Sequence, residues 1–550
     1  MLTSLEKRRV QTEVLCIGGG PAGLMAAIRA ADLGVNVLVA DKGNTVCSGS
    51  ASGGNDHYRC YIPEVHGNDT GPIIKEAQHA PLASGREEFT QVWLDMSFEI
   101  VKLWDSWGIP MKYNGKWEFA GHSFPGRPRI YMHYSGGNQK QVLTEQALKR
   151  GVKIMNRVTV FELLKDGERV TGALGLDTWN GQVIEFQAKS VFMSTGGCSR
   201  LYPSSTPGWM FNIPFCPVLT GDGRAMVYRA GGELADIEFT GQWAGVKYFS
   251  RSGKATWTGV LRGPDDQPIG PFVTKPDKIF GDITSDIWPT VFDDYMRSGK
   301  GPVYMSFKGA TDEDIGYIRH WLMNEGNKGM LDHMAEEGID LKKHALEFRT
   351  YEIGVKGGVW FNINAETSLK GLYAAGDEYF GSMANSTIWG WIGGERAARF
   401  SKEADFAGSG GQKALIDKKT AVFESMLSRR DGATWKEANI ALQQIMAEYA
   451  GMVRSETLIE QGMRNLRRLK EKSLSTLMAG NGHELGRCLE VLNLLDVGEL
   501  VMHAVGERKE TRGKHTRADH PFTNPLLDKL LIIKKDGDKP VFQWRQKGGA

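Results

Sequence analysis

Gly18, Gly20 and Gly23 stand in the stretch EVLCIGGGPAGLMAAIRAADLGVNVLVAD (Glu13 to Asp41) with the spacing GxGxxG, and Asp41 closes it. Glycines so spaced let backbone amides close on a pyrophosphate, and the helix that starts there adds partial positive charge. An acid about twenty residues on accepts hydrogen bonds from a ribose. The chemistry is dinucleotide binding. It has to be positioned by an apolar strand, a glycine turn, an alanine-rich helix and a second strand, and the stretch reads as that βαβ unit. Two more apolar runs end in turns that could serve the same ligand. SVFMSTGGCSRLY (Ser190 to Tyr202) ends its strand in Thr195, Gly196 and Gly197, and GLYAAGD (Gly371 to Asp377) ends in Gly376 and Asp377. Distant strand ends of this kind wrap an extended FAD, whereas NAD needs none of them, so the cofactor expected is FAD.

The rest of the chain bounds the function. Its 550 residues predict two to four domains, since one core rarely exceeds roughly 250–300 residues. Apolar residues make up 41% and charged residues 24%, the balance of a soluble globular protein. A net charge of +2 gives no nucleic-acid or membrane footprint. The first ten residues lack the apolar core of a signal peptide, and no run approaches a membrane-spanning length. The six cysteines contain no CxxC, which speaks against a metal or iron–sulfur site in this chain and fits a reducing compartment. The expected location is cytoplasmic, with any membrane complex reached through a partner.

With these residues placed, the chain resembles the flavoprotein subunits of fumarate reductase, succinate dehydrogenase and adenylylsulfate reductase. The resemblance rests on CSGSASGG (Cys47 to Gly54), AGHSFPGRPR (Ala120 to Arg129), LTGDGRAMVYRAGGELADIEF (Leu219 to Phe239) and ERKETRGKHTRADHP (Glu507 to Pro521). GGVWFNINAETSLKGLYAAGD (Gly357 to Asp377) is most similar to the adenylylsulfate reductase branch. It implies an α/β fold: a Rossmann-like FAD-binding domain from residues 1–235 and 346–405, an inserted α+β capping domain at 236–345, and a C-terminal helical domain at 406–550. Helical spacing of apolar residues in Gly411–Arg430 and Glu437–Leu477 agrees with the last of these.

The resemblance also implies site residues. Ser48, Gly49, Gly53 and Gly54 belong to a flavin-contacting loop, Lys42 follows the ribose acid, and Asp222 opens the TGDG helix. Ser386 or Thr387 is the expected N-cap of the last flavin-domain helix, whose amides would face the flavin. Where succinate dehydrogenases tether FAD to a histidine, this chain has Cys47, and His57 lies beyond the glycines, so FAD is expected to be noncovalent. Arg262, in GVLRGPDDQPIG, matches the family's catalytic arginine; a loop salt bridge to Asp265 or Asp266 is the plainer alternative. His122 matches the GHS segment, and Trp243 stands where fumarate-binding members carry a histidine.

The dicarboxylate clamp does not carry over. Besides Trp243, Ile353 and Gly354 stand at a second histidine position and Ser386 at an arginine position. Each lost contact to a carboxylate forfeits roughly 1.5–3 kcal/mol. Trp243, Trp257, Trp360, Trp389 and Trp391 suggest an aromatic-lined pocket in its place, although tryptophan is more often core. The function expected is an FAD-dependent oxidoreductase subunit that moves hydride or electrons between a small organic substrate, not a simple C4 dicarboxylate, and a separate iron–sulfur or cytochrome partner. An adenylylsulfate reductase-like sulfur enzyme and a non-catalytic flavin electron carrier are the alternatives.

Overall fold

The computed structural model describes residues 5–78, 86–121, 126–203, 210–213, 215–249, 257–269, 273–280, 289–407 and 412–547. Its largest sheet has seven strands in the spatial order Lys153–Asn156, Val37–Asp41, Glu6–Ile17, Gln182–Met193, Arg169–Asp177 and Val158–Asp166, with Leu372–Ala374 added to Gln182–Met193. The nucleotide strands pair in parallel, Val14 opposite Val37 and Ile17 opposite Met193. Strand Leu372–Ala374 joins in the same sense, Ala374 opposite Met193. Three strand ends thus arrive together. The residues that line them are apolar runs buried on both faces, as a helix-covered parallel sheet requires.

Helix Pro21–Asp32 and helix Met383–Glu403 cover this edge of the sheet and touch through small residues. A Cβ on Gly390 would lie 2.5 Å from the Ala22 carbonyl oxygen, and one on Gly394 2.3 Å from that of Ala26. The alanine-rich helix is therefore a backbone-to-backbone packing surface.

The cap is a four-stranded antiparallel sheet in the order Thr240–Val246, Leu346–Val355, Val303–Ser306 and Val260–Arg262, with helices Asp312–Asn324 and Lys328–Glu336 packed on it. It has its own apolar core around Trp257, Phe307 and Phe348. Strand Leu346–Val355 belongs to this sheet, so the cap runs ten residues past the expected boundary at 345. The chain leaves it only at the glycine pair Gly357–Gly358, which packs too closely on the Asp236 and Glu378 carbonyls to admit side chains.

Four helices, Lys413–Ser428, Trp435–Ala450, Glu456–Thr476 and Gly482–Glu507, form the helical domain, the second opened by a Thr434–Glu437 capping box. The last of them is buried on nearly all sides. The chain after it is not helical as expected. Leu530–Asp536 and Lys539–Arg545 form a hairpin that pairs with Leu234–Ala235 and, through it, with Gly358–Val359. The C-terminus thus returns to the flavin domain at the root of the cap.

A buried charge cluster fixes that return. Arg508, 1% exposed, donates to Glu238 and Glu510 and lies 3.6 Å from Asp236. Burial, aided by Glu238, pushes Asp236 up to about 7, and Arg508 opposes the shift. Replacing Arg508 by Ala strands these carboxylates without a counter-charge, so urea unfolding should show a loss of ~3–5 kcal/mol. A loss below ~1 kcal/mol would contradict this account of the junction.

Candidate functional site

One long groove runs along the carboxyl ends of the three strands. Of the predicted FAD residues, Gly18, Gly20, Asp41, Lys42, Ser48, Gly49, Gly54, Thr195, Gly196, Gly197, Asp222, Asp377 and Ser386 line it. Ligands bind at such strand ends in open α/β sheets.

The glycines of the first turn do different work. Gly18 has a φ of +99°, and a Cβ there would meet the Ser194 carbonyl oxygen at 2.2 Å. A Cβ on Gly23 would sit 2.0 Å from the Gly18 carbonyl oxygen. These two are demanded by the protein's own packing. Gly20 is extended at φ −71°, and its Cβ would meet nothing within 4 Å. Its side of the turn is bare backbone facing the groove at the helix N-terminus, which is the cradle a pyrophosphate needs. Asp41 accepts from the amides of Gly19 (2.7 Å) and Gly43 (2.8 Å), and it holds the turn while facing the groove. The donor and acceptor set fits FAD.

The second and third turns are tied together from below. Arg224 is 0% exposed and donates to the carbonyls of Gly196 (2.9 Å), Gly357 (2.8 Å) and Asp377 (2.7 Å). Glu378 accepts from the Thr195 amide and hydroxyl; burial pushes its carboxyl up to about 7. Gly223 donates its amide to the Thr195 hydroxyl at 2.9 Å. Lys42 donates to Asp222 (2.7 Å) and lies 3.1 Å from Glu490, which Arg200 also pairs at 2.8 Å. Burial works against the Glu490 charge, but these cations hold it down at about 2. The groove wall is thereby pinned to helix Gly482–Glu507.

Other predicted residues stand elsewhere. Gly23 and Gly376 lie behind the turns; Gly376, at φ +71°, lets Ser386 and Ala22 come close. Gly53 and Gly54 meet the cap, where a Cβ on Gly54 would lie 2.1 Å from the Asn324 carbonyl oxygen. The last helix starts a turn earlier than expected. Its N-cap is Ser382, whose hydroxyl accepts from the Asn385 amide at 3.1 Å. Ser386 falls in the first turn, on the groove. Thr387 is fully buried and bonds to the Met383 carbonyl and the Tyr58 hydroxyl instead. Ser382 and Met383 also line the groove, so the helix N-terminus does face the ligand space.

Arg262 sits on the edge strand of the cap and is not part of the groove wall. Its guanidinium donates to the Asp266 carbonyl at 2.6 Å, and the Asp266 carboxylate lies 3.6 Å away. His122 lies outside the described residues, as does the side chain of Trp243. Trp257 is in the cap core, Trp389 stacks on Phe89 at 5.0 Å, and Trp360 and Trp391 pack under Arg545 and Arg29. None of these four lines the groove, which corrects the aromatic-pocket expectation. Its described rings are His57, Tyr131 and Phe215.

Sequence reading passed over Lys356, His57 and Arg224. Lys356 lines the groove beside Asp377, and burial lowers its proton affinity while Asp377 raises it. Nothing marked it beyond its place before a glycine pair.

Residues 13–247 match the FAD binding domain family, and residues 439–544 match the fumarate reductase flavoprotein C-terminal family. The first subunit of the fumarate reductase (CoM/CoB) of Methanothermobacter marburgensis is 24% identical, over 96% of this chain and 98% of that one. An L-aspartate oxidase of Vibrio cholerae is 26% identical, over 94% and 96%. The solved adenylylsulfate reductase of Archaeoglobus fulgidus superimposes with a TM-score of 0.85 at 20% identity, covering 98% of this chain and 96% of that one.

Replacing Gly20 by Leu should leave the fold intact, because the backbone and the space both accept a side chain, yet abolish FAD occupancy of the purified protein. Replacing Gly23 by Leu should instead lower thermal stability. Normal flavin absorbance in the Gly20 variant would show that the turn is not the phosphate site.

Proposed function

The chain belongs to the fumarate reductase flavoprotein family of FAD-dependent oxidoreductases, and from that premise we propose that it passes electrons between a small organic substrate other than a C4 dicarboxylate and a separate iron–sulfur or cytochrome partner. The observation that carries the substrate reading is Ser386. The resemblance puts an arginine there, and here a neutral hydroxyl stands on the groove wall at the helix N-terminus. A second carboxylate of a dicarboxylate has no fork to meet it.

Bound FAD supplies hydride chemistry at its isoalloxazine ring. The protein's own part is positioning and charge. The N-terminus of Met383–Glu403 presents amides and partial positive charge to the groove, which favours an anion there. Of the two lysines in the wall, Lys42 is already paired with Asp222 and Glu490, and Lys356 lies near Asp377 at the mouth of the cap. A single added cation suits a substrate with one acid group or a polarised carbonyl, such as a monocarboxylic acid or a thioester. Arg262 would join it as a second cation by leaving the Asp266 and Thr274 carbonyls when the cap engages substrate.

Electrons need a second exit. The chain carries one dinucleotide fingerprint and no CxxC, so a partner protein supplies the route. No helix among the described residues is long and apolar enough to cross a membrane.

Acid precipitation should release FAD intact into the supernatant; flavin left on the pellet would point to Cys47 or His57 as a tether. A panel of monocarboxylic acids and thioesters, mixed anaerobically with the holo-protein, should contain one that bleaches the flavin. With that compound Arg262→Ala should bleach ~10²–10³-fold more slowly at unchanged FAD content. Equal rates would leave Arg262 a loop residue, and a panel with no bleaching would sink the substrate reading.

A further inference from the structure

His57 opens the strand His57–Arg59, directly beyond the glycines of the flavin loop, and its ring forms part of the groove wall beside Tyr131, 5.8 Å away edge-on. Its Nδ1 lies 2.6 Å from Asp56 Oδ1 and 3.7 Å from Glu325 Oε1. Asp56 and Glu325 are both 0% exposed. They come from opposite sides of a seam: Asp56 from the flavin domain, Glu325 as the C-cap of the cap helix Asp312–Asn324. The backbone is equally close there, since a Cβ on Gly326 would lie 2.6 Å from the Gly53 carbonyl oxygen.

The charges in this cluster fix its protons. A carboxylate accepts, so Nδ1 carries the hydrogen toward Asp56, and the basic lone pair of neutral His57 is left on Nε2. Two carboxyl groups in contact out of water share a proton rather than both ionise. Burial opposes the Asp56 charge, but His57, the hydrogen bond from Glu325 and His133 together hold its pKa well below the ordinary carboxylate range. His133, on the neighbouring strand Tyr131–His133, has one ring nitrogen 3.1 Å from the Asp56 carbonyl and the other 2.7 Å from that of Ala120. Burial lowers its proton affinity, yet two carbonyls can only accept, so both nitrogens donate, and Asp56 Oδ2 at 3.7 Å balances the charge. The groups facing His57 are thus Asp56, Glu325, His133 and Tyr131. The arrangement is an oriented imidazole, backed by one buried negative charge, with its edge on the ligand space.

We propose that His57 is the proton-transfer residue of the groove, oriented by Asp56 and completed by Glu325 when the cap is seated. This rests on the oxidoreductase reading above and adds the residue that handles the proton. In the oxidising direction two bonds to hydrogen on adjacent substrate atoms break and a double bond forms between those atoms. One hydrogen leaves with its electron pair as hydride to FAD, the cofactor of the family. The other leaves as a proton to His57 Nε2, and the imidazolium that results is held by Asp56. The reducing direction returns the same proton. A histidine in this role titrates near neutral pH, where it can both take and give a proton.

The test uses FAD-loaded full-length protein with ring-¹⁵N histidine, the His57 signals being assigned by their loss in His57→Asn. Asparagine keeps a donor toward Asp56, and circular dichroism with flavin absorbance checks that fold and cofactor survive. In the wild type, His57 should show hydrogen on Nδ1 and a lone pair on Nε2 above its titration midpoint. In Asp56→Asn that midpoint should fall by at least one pH unit, a tenfold loss of proton affinity. The opposite tautomer, an unmoved midpoint, or a shift reversed by a chelator (which would make the cluster a metal site) overturns the proposal. A second arm reads chemistry with whichever panel acid or thioester bleaches the wild-type flavin. His57→Asn should slow that bleaching ~10²–10⁴-fold, and an equal rate overturns the proposal. Absence of any bleaching, with the tautomer and midpoint as expected, would sink the substrate reading and leave His57 as assigned.

Discussion

A single buried guanidinium, Arg224, holds the groove in shape. It donates to the carbonyls of Gly196, Gly357 and Asp377, which belong to the end of the strand Gln182–Met193, the exit of the cap and the end of the strand Leu372–Ala374. Its planar fork sets those turns relative to one another in a way a flexible ammonium would not. Glu378 and Gly223 do the same for Thr195 from either side. The ligand therefore meets turns that are already positioned, and binding does not have to order them.

The other units attach to this frame at points that matter for chemistry. The cap leaves and rejoins the flavin domain between Asp236 and Gly358, directly beside the Arg224 contacts, and the C-terminal hairpin pairs with the same short strands. The helical domain reaches the groove through Glu490 and Lys42. The cap reaches it a second time where Asn324, Glu325 and Gly326 press on the flavin loop. A movement of the cap would change what His57 faces while leaving the phosphate end untouched. That separation is what an enzyme needs if it is to keep its cofactor and exchange its substrate.

Local spacing made the cofactor end legible. GxGxxG, the acid at Asp41 and the turns at Thr195 and Asp377 are each set within a few residues of a strand end, where pattern and mechanism coincide. The same spacing does not tell Gly18 and Gly23, which the protein's packing demands, from Gly20, which faces the ligand. Residues joined across the chain left no such trace. Arg224 reads as one more helix arginine until the turns around it are seen, and His57 and Glu325 are 268 positions apart in sequence. The tryptophans misled because size and apolarity suit a core as well as a pocket. Leu530–Ile533 followed by Asp536–Gly537 is a strand-and-turn signal in its own right. The likeness to a helical domain outweighed it.

The central claim is that the groove keeps the FAD of its family and has lost the dicarboxylate clamp. It is tested most directly by reducing the holo-protein with dithionite under anaerobic conditions, removing the excess, and mixing it with millimolar fumarate while the flavin spectrum is followed. The account predicts that the flavin stays reduced over minutes. Reoxidation within seconds would show that fumarate is bound and turned over despite Ser386, and would contradict it.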